Sequence, residues 1–61
     1  MSERMLRVAQ VIAMVGVSQR TIERMERAGT FPKRRRIAGQ MIGWLESEIA
    51  QWLAERPTVA A

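Results

Sequence analysis

Residues 16–36 read GVSQRTIERMERAGTFPKRRR, and the reading of this stretch decides the fold. Gly16 can take the left-handed conformation that closes a helix at no steric cost. Val17 is a single apolar residue aimed at a core. Ser18 is a good N-cap, because its hydroxyl can accept a bond from a free backbone N–H of the next helix. The pattern then predicts a helix over 19–28, with Ile22 and Met25 inward and Thr21 and Ala28 on their flanks. Gln19, Arg20, Glu23, Arg24 and Arg27 face outward, and Gly29 ends the helix. Thr30, Phe31 and Pro32 form the exit, with Phe31 buried and Pro32 biasing the chain to extended geometry.

Working upstream, Val8, Val11, Ile12 and Val15 repeat at i, i+3, i+4 and i+7, the stripe of an amphipathic helix. Valine is a poor helix former, so packing must hold this helix. No Ser, Thr, Asp or Asn stands where its N-cap should be, which leaves its start undefined. Residues 1–7 read as a ragged start, with Met5 and Leu6 adding a short extended segment against the core. Arg4 and Arg7 before the apolar run VAQVIAMVGV imitate a secretory signal. However, Gln10 interrupts the run and no small-residue cleavage site follows, so the helical reading is preferred. The run is also too short to span a bilayer.

Working downstream, KRRRIAGQMIGW places Ile37 before, and Ile42 and Trp44 after, the turn signal Ala38-Gly39. This predicts a hairpin with strands near 34–37 and 41–44. LESEIAQWLAER carries the stripe Leu45, Ile49, Trp52 and Leu53, which predicts a final helix. Glu46 and Glu48 fall in its first turn, where they suit the positive end of the helix dipole. Pro57 stops it, and TVAA reads as a frayed tail. Helix, tight turn, helix and basic hairpin together make a mostly α fold with a small β-hairpin, a winged helix-turn-helix.

The chain has 61 residues, enough for one domain, with its core expected over about 5–56 and a flexible tail at 57–61. A fold of this size buries only about 60% of the surface its unfolded chain exposes. Trp44, Trp52 and the methionines are therefore expected in the core. There is no cysteine and no histidine, so disulfides, Cys/His zinc sites and histidine acid–base chemistry are excluded. No metal or cofactor site is expected. Glu46 and Glu48 adjoin no nucleophile, so no enzymatic constellation is expected either.

The formal net charge is +4, but residues 18–36 alone carry +5, residues 44–61 carry −2 and residues 1–17 carry +1. Such asymmetry favours a polyanionic partner at one face. In a helix-turn-helix, the N-terminal outward positions of the second helix reach base edges in the major groove. Here these are Gln19, Arg20, Glu23 and Arg24, types that pair with adenine, guanine and cytosine edges. Ser18, Arg27, Lys33, Arg34, Arg35, Arg36 and Gln40 are the expected backbone and wing contacts. The close cations of 33–36 repel one another, which makes most sense if phosphates neutralise them.

The order VAQVIAMVGVSQRTIERMERAGTFP followed by KRRRIAGQMIGWLESEIAQWLAER resembles the AlpA-like family of phage and prophage regulators. That family sits with MerR-like winged helix-turn-helix proteins and small phage excisionases. The match covers about residues 5–56, and GVSQRTI, GTFPK and GWLESEIAQWL are its most specific parts. The resemblance implies a recognition helix at about 18–28 and a wing at about 33–44. The dense PKRRR run departs from relatives, which often mix in apolar residues there. Two roles follow from the resemblance. One is a transcription regulator working with RNA polymerase. The other is an excisionase that bends DNA and recruits integrase. A reading of another class is a protein-interaction, antitoxin or DNA-packaging subunit. With no long C-terminal coiled coil, a monomer or weak dimer that binds duplex DNA cooperatively is expected. It is expected in the cytoplasm and away from membranes.

Overall fold

The computed structural model describes residues 3–59 of the chain. The first two residues of the ragged start expected at 1–7, and the last two of the tail expected at 57–61, lie outside the described residues. In chain order the elements are β1 (Met5–Leu6), α1 (Val8–Val15), α2 (Gln19–Ala28), β2 (Arg35–Ala38), β3 (Met41–Leu45) and α3 (Glu46–Ala54). This is the three-helix, small-sheet architecture of a winged helix-turn-helix, with α1 and α2 as the paired helices and β2–β3 as the wing. Among the described residues no helix is long and apolar enough to cross a membrane.

The sequence left α1 without a start, and the structure supplies one from within. Gln10 Oε1 reaches back to accept the Arg7 backbone N–H at 2.8 Å. This is the return half of a capping box, achieved without a capping side chain at Arg7. Gly16 closes the helix at φ 85°, its N–H donating to the Ile12 carbonyl at 2.8 Å. Ser18 then caps α2 by accepting the Thr21 N–H at 3.2 Å. At the other end Gly29, at φ 79°, donates to the Glu26 carbonyl and Thr30 donates to the Met25 carbonyl. That paired arrangement is a Schellman motif, which turns the chain sharply into the exit segment.

β3 is the central strand, with order β1-β3-β2 and both pairings antiparallel. Met5 and Leu6 pair with Leu45 and Trp44. The expected hairpin is therefore a three-stranded sheet. Its turn lies one residue later than expected: Ala38 pairs with Met41, so Gly39 and Gln40 form the loop, not Ala38 and Gly39. Gly39 has φ 54°, and among the described residues no non-glycine residue has positive φ. A two-residue turn of the II′ kind wants glycine first, and the register shift between Arg36 and Ala38 delivers Gly39 to that position.

The core comprises Leu6, Val11, Ile22, Phe31, Trp44 and Ile49, with Val8, Ile12, Val15, Val17, Met25, Trp52 and Leu53 packed around it. Not every large apolar residue joins this core. Ile42, two residues from buried Trp44, is exposed toward the wing tip, next to exposed Met41. Met14 and Met41 are also exposed, one on the outer side of α1 and one at the wing turn, so only some methionines fill core space. Trp52 is half-buried and packs against the core from its edge, as a core tryptophan.

Gly43 is buried in the middle of β3. A Cβ there would press against the Leu6 backbone carbonyl and come within 2.9 Å of Ile37 Cδ1. Backbone cannot move aside as a side chain can. Gly43→Ala is therefore expected to cost about 1–3 kcal/mol by overpacking and to loosen β1 from β3. Amide exchange should accelerate at Leu6 and Trp44, and unchanged protection there would contradict the close approach.

Candidate nucleic-acid interface

The outward side of α2 presents Arg20, Glu23, Arg24 and Arg27, which together line a shallow concavity. Their spacing of three and four residues places them in one row along the helix. Ile22 anchors the opposite side, fully buried, so the row cannot rotate inward. Gln19 Nε2 donates to Glu23 Oε2 at 3.2 Å, which orders the first turn of this row. Among the described residues Arg20, Arg24, Arg27 and Lys33 have no ion-pair partner. Ser18 lies at the start of the same helix, but its hydroxyl is already used as the cap.

The wing cations are less uniform than the sequence suggests. Arg34 is not a free cation: its Nη2 donates to Glu26 Oε1 at 2.7 Å, and its Nε and backbone N–H also donate to that carboxylate. Hydrogen bonding to Glu26 raises the Arg34 pKa above its ordinary value against an opposing effect of burial. Arg35 forms a two-pronged pair with Glu48, with Nε to Oε1 at 3.1 Å and Nη2 to Oε2 at 3.0 Å. Arg36 donates from Nη1 to the Gly39 carbonyl at 2.7 Å, which stiffens the turn and leaves its charge uncompensated. Gln40 occupies the exposed tip. Phosphate is therefore not the sole source of neutralising charge for residues 33–36. Glu26 and Glu48 neutralise the middle two cations, and Lys33 and Arg36 remain available.

Glu48 also gives a pH test. Its hydrogen bonds from Arg35 hold the carboxyl below the usual carboxylate range. The bridge therefore contributes fully above the ordinary glutamate pKa of about 4.3. That contribution is lost as pH falls through the depressed folded value. Thermal melts of the wild type and Glu48→Gln are expected to differ at about pH 7 and to converge by about pH 2.5. A gap that persists in acid would assign the effect to packing and not to charge.

The joint between α2 and the wing is aromatic. Phe31 lies edge-on to both tryptophans, with centroids 4.7 Å from Trp52 and 6.2 Å from Trp44. Each indole N–H donates to a carbonyl flanking Phe31: Trp52 to Thr30 at 2.7 Å and Trp44 to Pro32 at 2.8 Å. Three consecutive residues are thereby held from two sides. α3 carries Trp52 into place, and Glu3 steadies the start of that helix by accepting from Ser47 Oγ at 2.7 Å and Ser47 N–H at 3.3 Å. The sequence pattern marks these aromatics as core residues but not as a joint, and it shows Glu26 only as one more charge in α2. Neither role has a local signal, since each contact crosses between elements.

The result is a cationic helix row and a smaller cationic wing set at a fixed relation, a surface that complements a polyanion with a groove. The family described as Prophage CP4-57 regulatory protein (AlpA) matches residues 4–57. An uncharacterised protein, ORF88, of Enterobacteria phage P4 is 41% identical over 54 residues, which cover 88% of this chain and 61% of that relative. The chain thus spans less than two thirds of the length of the phage P4 protein. The DNA-binding transcriptional activator AlpA of Escherichia coli K12 is 36% identical over 59 residues, covering 87% of this chain and 84% of the relative. No solved structure gives a significant match. With a matched span running from Arg4, just ahead of β1, past the end of α3, the chain belongs to the AlpA family of prophage regulatory proteins.

Proposed function

We propose that this protein is a sequence-specific double-stranded DNA-binding regulator of phage or prophage transcription, without enzymatic activity. The observation that carries this reading is the exposed row Arg20, Glu23, Arg24 and Arg27 on the second helix of a helix-turn-helix, beside the unpaired wing residue Lys33. The E. coli relative, named as a DNA-binding transcriptional activator, supports it. In this reading α2 enters the major groove, with Gln19, Arg20, Glu23 and Arg24 at base edges. Arg27, Lys33, Arg36 and Gln40 lie along the adjacent backbone. The protein acts in the cytoplasm as a monomer or weak dimer, cooperatively on repeated half-sites, with RNA polymerase as its protein partner.

Footprinting across the resident prophage's early promoter and attachment site tests the role. Protection of the promoter supports regulation. Protection confined to the attachment site, with DNA bending and an adjacent integrase gene, would assign the excisionase role instead. Within either role, Arg24→Ala is expected to lose about 1–3 kcal/mol on the footprinted site and much less on scrambled duplex. Equal losses on both duplexes would make Arg24 a phosphate contact and move the reading head elsewhere.

A further inference from the structure

We infer that Glu26 and Arg34 form a positioning pair that fixes the attitude of the wing to α2, and that Arg34 is thereby withheld from the nucleic acid. The inference rests on the duplex-binding reading for its consequence but not for its geometry. Glu26 lies near the end of α2, and its carboxylate takes a backbone N–H and the guanidinium fork of a single residue. The four distances run from 2.7 to 3.2 Å. A point charge would tolerate many orientations, whereas a planar fork plus a main-chain donor fixes both position and direction. The pair is also shielded, with side chains 29% and 16% exposed. The Arg35–Glu48 pair is far more open, at 56% and 34%.

The other side of the Arg34 guanidinium lies over the Trp44 ring, 4.8 Å from its centroid. Trp44 is itself held to Pro32 and packed edge-on to Phe31. The guanidinium is therefore sandwiched between α2 and the central strand. Among the described residues, the bonds from the Arg34 guanidinium and backbone N–H to Glu26 are the only hydrogen bonds between α2 and residues 33–45. Little backbone packing joins these two elements otherwise. The chain passes from one to the other through the short exit at Thr30, Phe31 and Pro32. Without the pair, β2 and the wing tip can shift against α2, while β3 stays anchored by β1 and by Trp44 in the core.

The chain has no cysteine, so Ala28→Cys and Gln40→Cys give clean attachment points for two spin labels. A pulsed electron-spin distance measurement on the free protein is expected to give one narrow distribution. Adding Glu26→Gln or Arg34→Met should broaden it to similar extents. Arg34→Lys, which keeps the charge but not the fork, should broaden it as well. Identical narrow distributions in all variants, or full rescue by Arg34→Lys, would overturn the proposal. If Arg34→Met fails to fold by circular dichroism, Glu26→Gln, which keeps size and hydrogen-bonding capacity, decides the matter.

Duplex binding supplies the second arm. Glu26→Gln and Arg34→Met should each weaken the footprinted site by a similar factor, on the order of tenfold, and the double variant by no more. The salt slope should not change, and protection should shorten only on the wing side. If Arg34→Met instead shallows the slope by about 0.9 while Glu26→Gln binds like the wild type, Arg34 is a phosphate contact and the proposal falls. If the wild type binds no duplex, the proposed function fails on that result, and the distance distributions still decide the pair.

Discussion

Raising monovalent salt from about 50 to about 200 mM is expected to weaken duplex binding roughly 40- to 500-fold. The cations free to meet phosphate are Arg20, Arg24, Arg27, Lys33 and Arg36, since Arg34 and Arg35 have carboxylate partners within the chain. Each phosphate neutralised contributes a log–log slope of about −0.9 through release of condensed counterions. Three to five such contacts give a slope between about −2.7 and −4.5. Titration of a labelled duplex at four or five salt concentrations measures it. A slope steeper than about −6 would mean that both paired arginines abandon Glu26 and Glu48 on binding. A flat response would remove nucleic acid as the partner and leave the protein-interaction reading in its place.

Trp44→Ala is expected to cost about 3–5 kcal/mol, the range for truncating a core aromatic. Trp44 is 1% exposed, packs against Phe31, backs the Arg34 guanidinium and bonds the Pro32 carbonyl. A domain of this length has only about 3–9 kcal/mol of total stability, at roughly 0.05–0.15 kcal/mol per residue. The variant should therefore be largely unfolded by circular dichroism at 25 °C. Trp44→Phe should be milder, because it keeps most of the apolar contact and loses chiefly the bond to Pro32. Should Trp44→Ala stay folded and lose only duplex binding, the indole would be a stacking surface for bases and not a core residue.

These two predictions draw on different kinds of legibility. The α1–turn–α2 unit was readable because its signals are local: a glycine that closes, a serine that caps, and a stripe with a 3.6-residue period. The outward row on α2 follows from the same period. The wing was readable in kind but not in register. Alternation located two strands, yet the turn depended on a bulge that carries Gly39 into the first loop position, and short-range pattern does not encode a bulge. β1 was readable as an extended piece, but its place beside β3 is set by closure across the chain, with Leu6 meeting Trp44. The ionic state of the wing was the least legible part. Four consecutive cations look equivalent in a list of residues. In space, Glu26 and Glu48 reach two of them from separate helices, and the remaining two differ in whether a carbonyl holds the guanidinium. Ile42 illustrates the same limit, because it shares the parity of buried Trp44 and is nonetheless exposed.

The bracing of Phe31 by two indoles also has an optical consequence. The chain contains two tryptophans and no tyrosine, so its near-ultraviolet emission comes from Trp44 and Trp52 alone. Both report from the exit segment, one with Arg34 over its ring and the other with Arg56 4.1 Å from its centroid. Displacement of Arg34 from Glu26 would change the cation over the Trp44 ring, whereas Trp52 keeps Arg56 from its own end of α3. Trp44→Phe and Trp52→Phe would separate the two signals. The protein thus carries an intrinsic fluorescence gauge at the braced joint, and stopped-flow mixing with DNA can report without a label whether that joint is disturbed on binding.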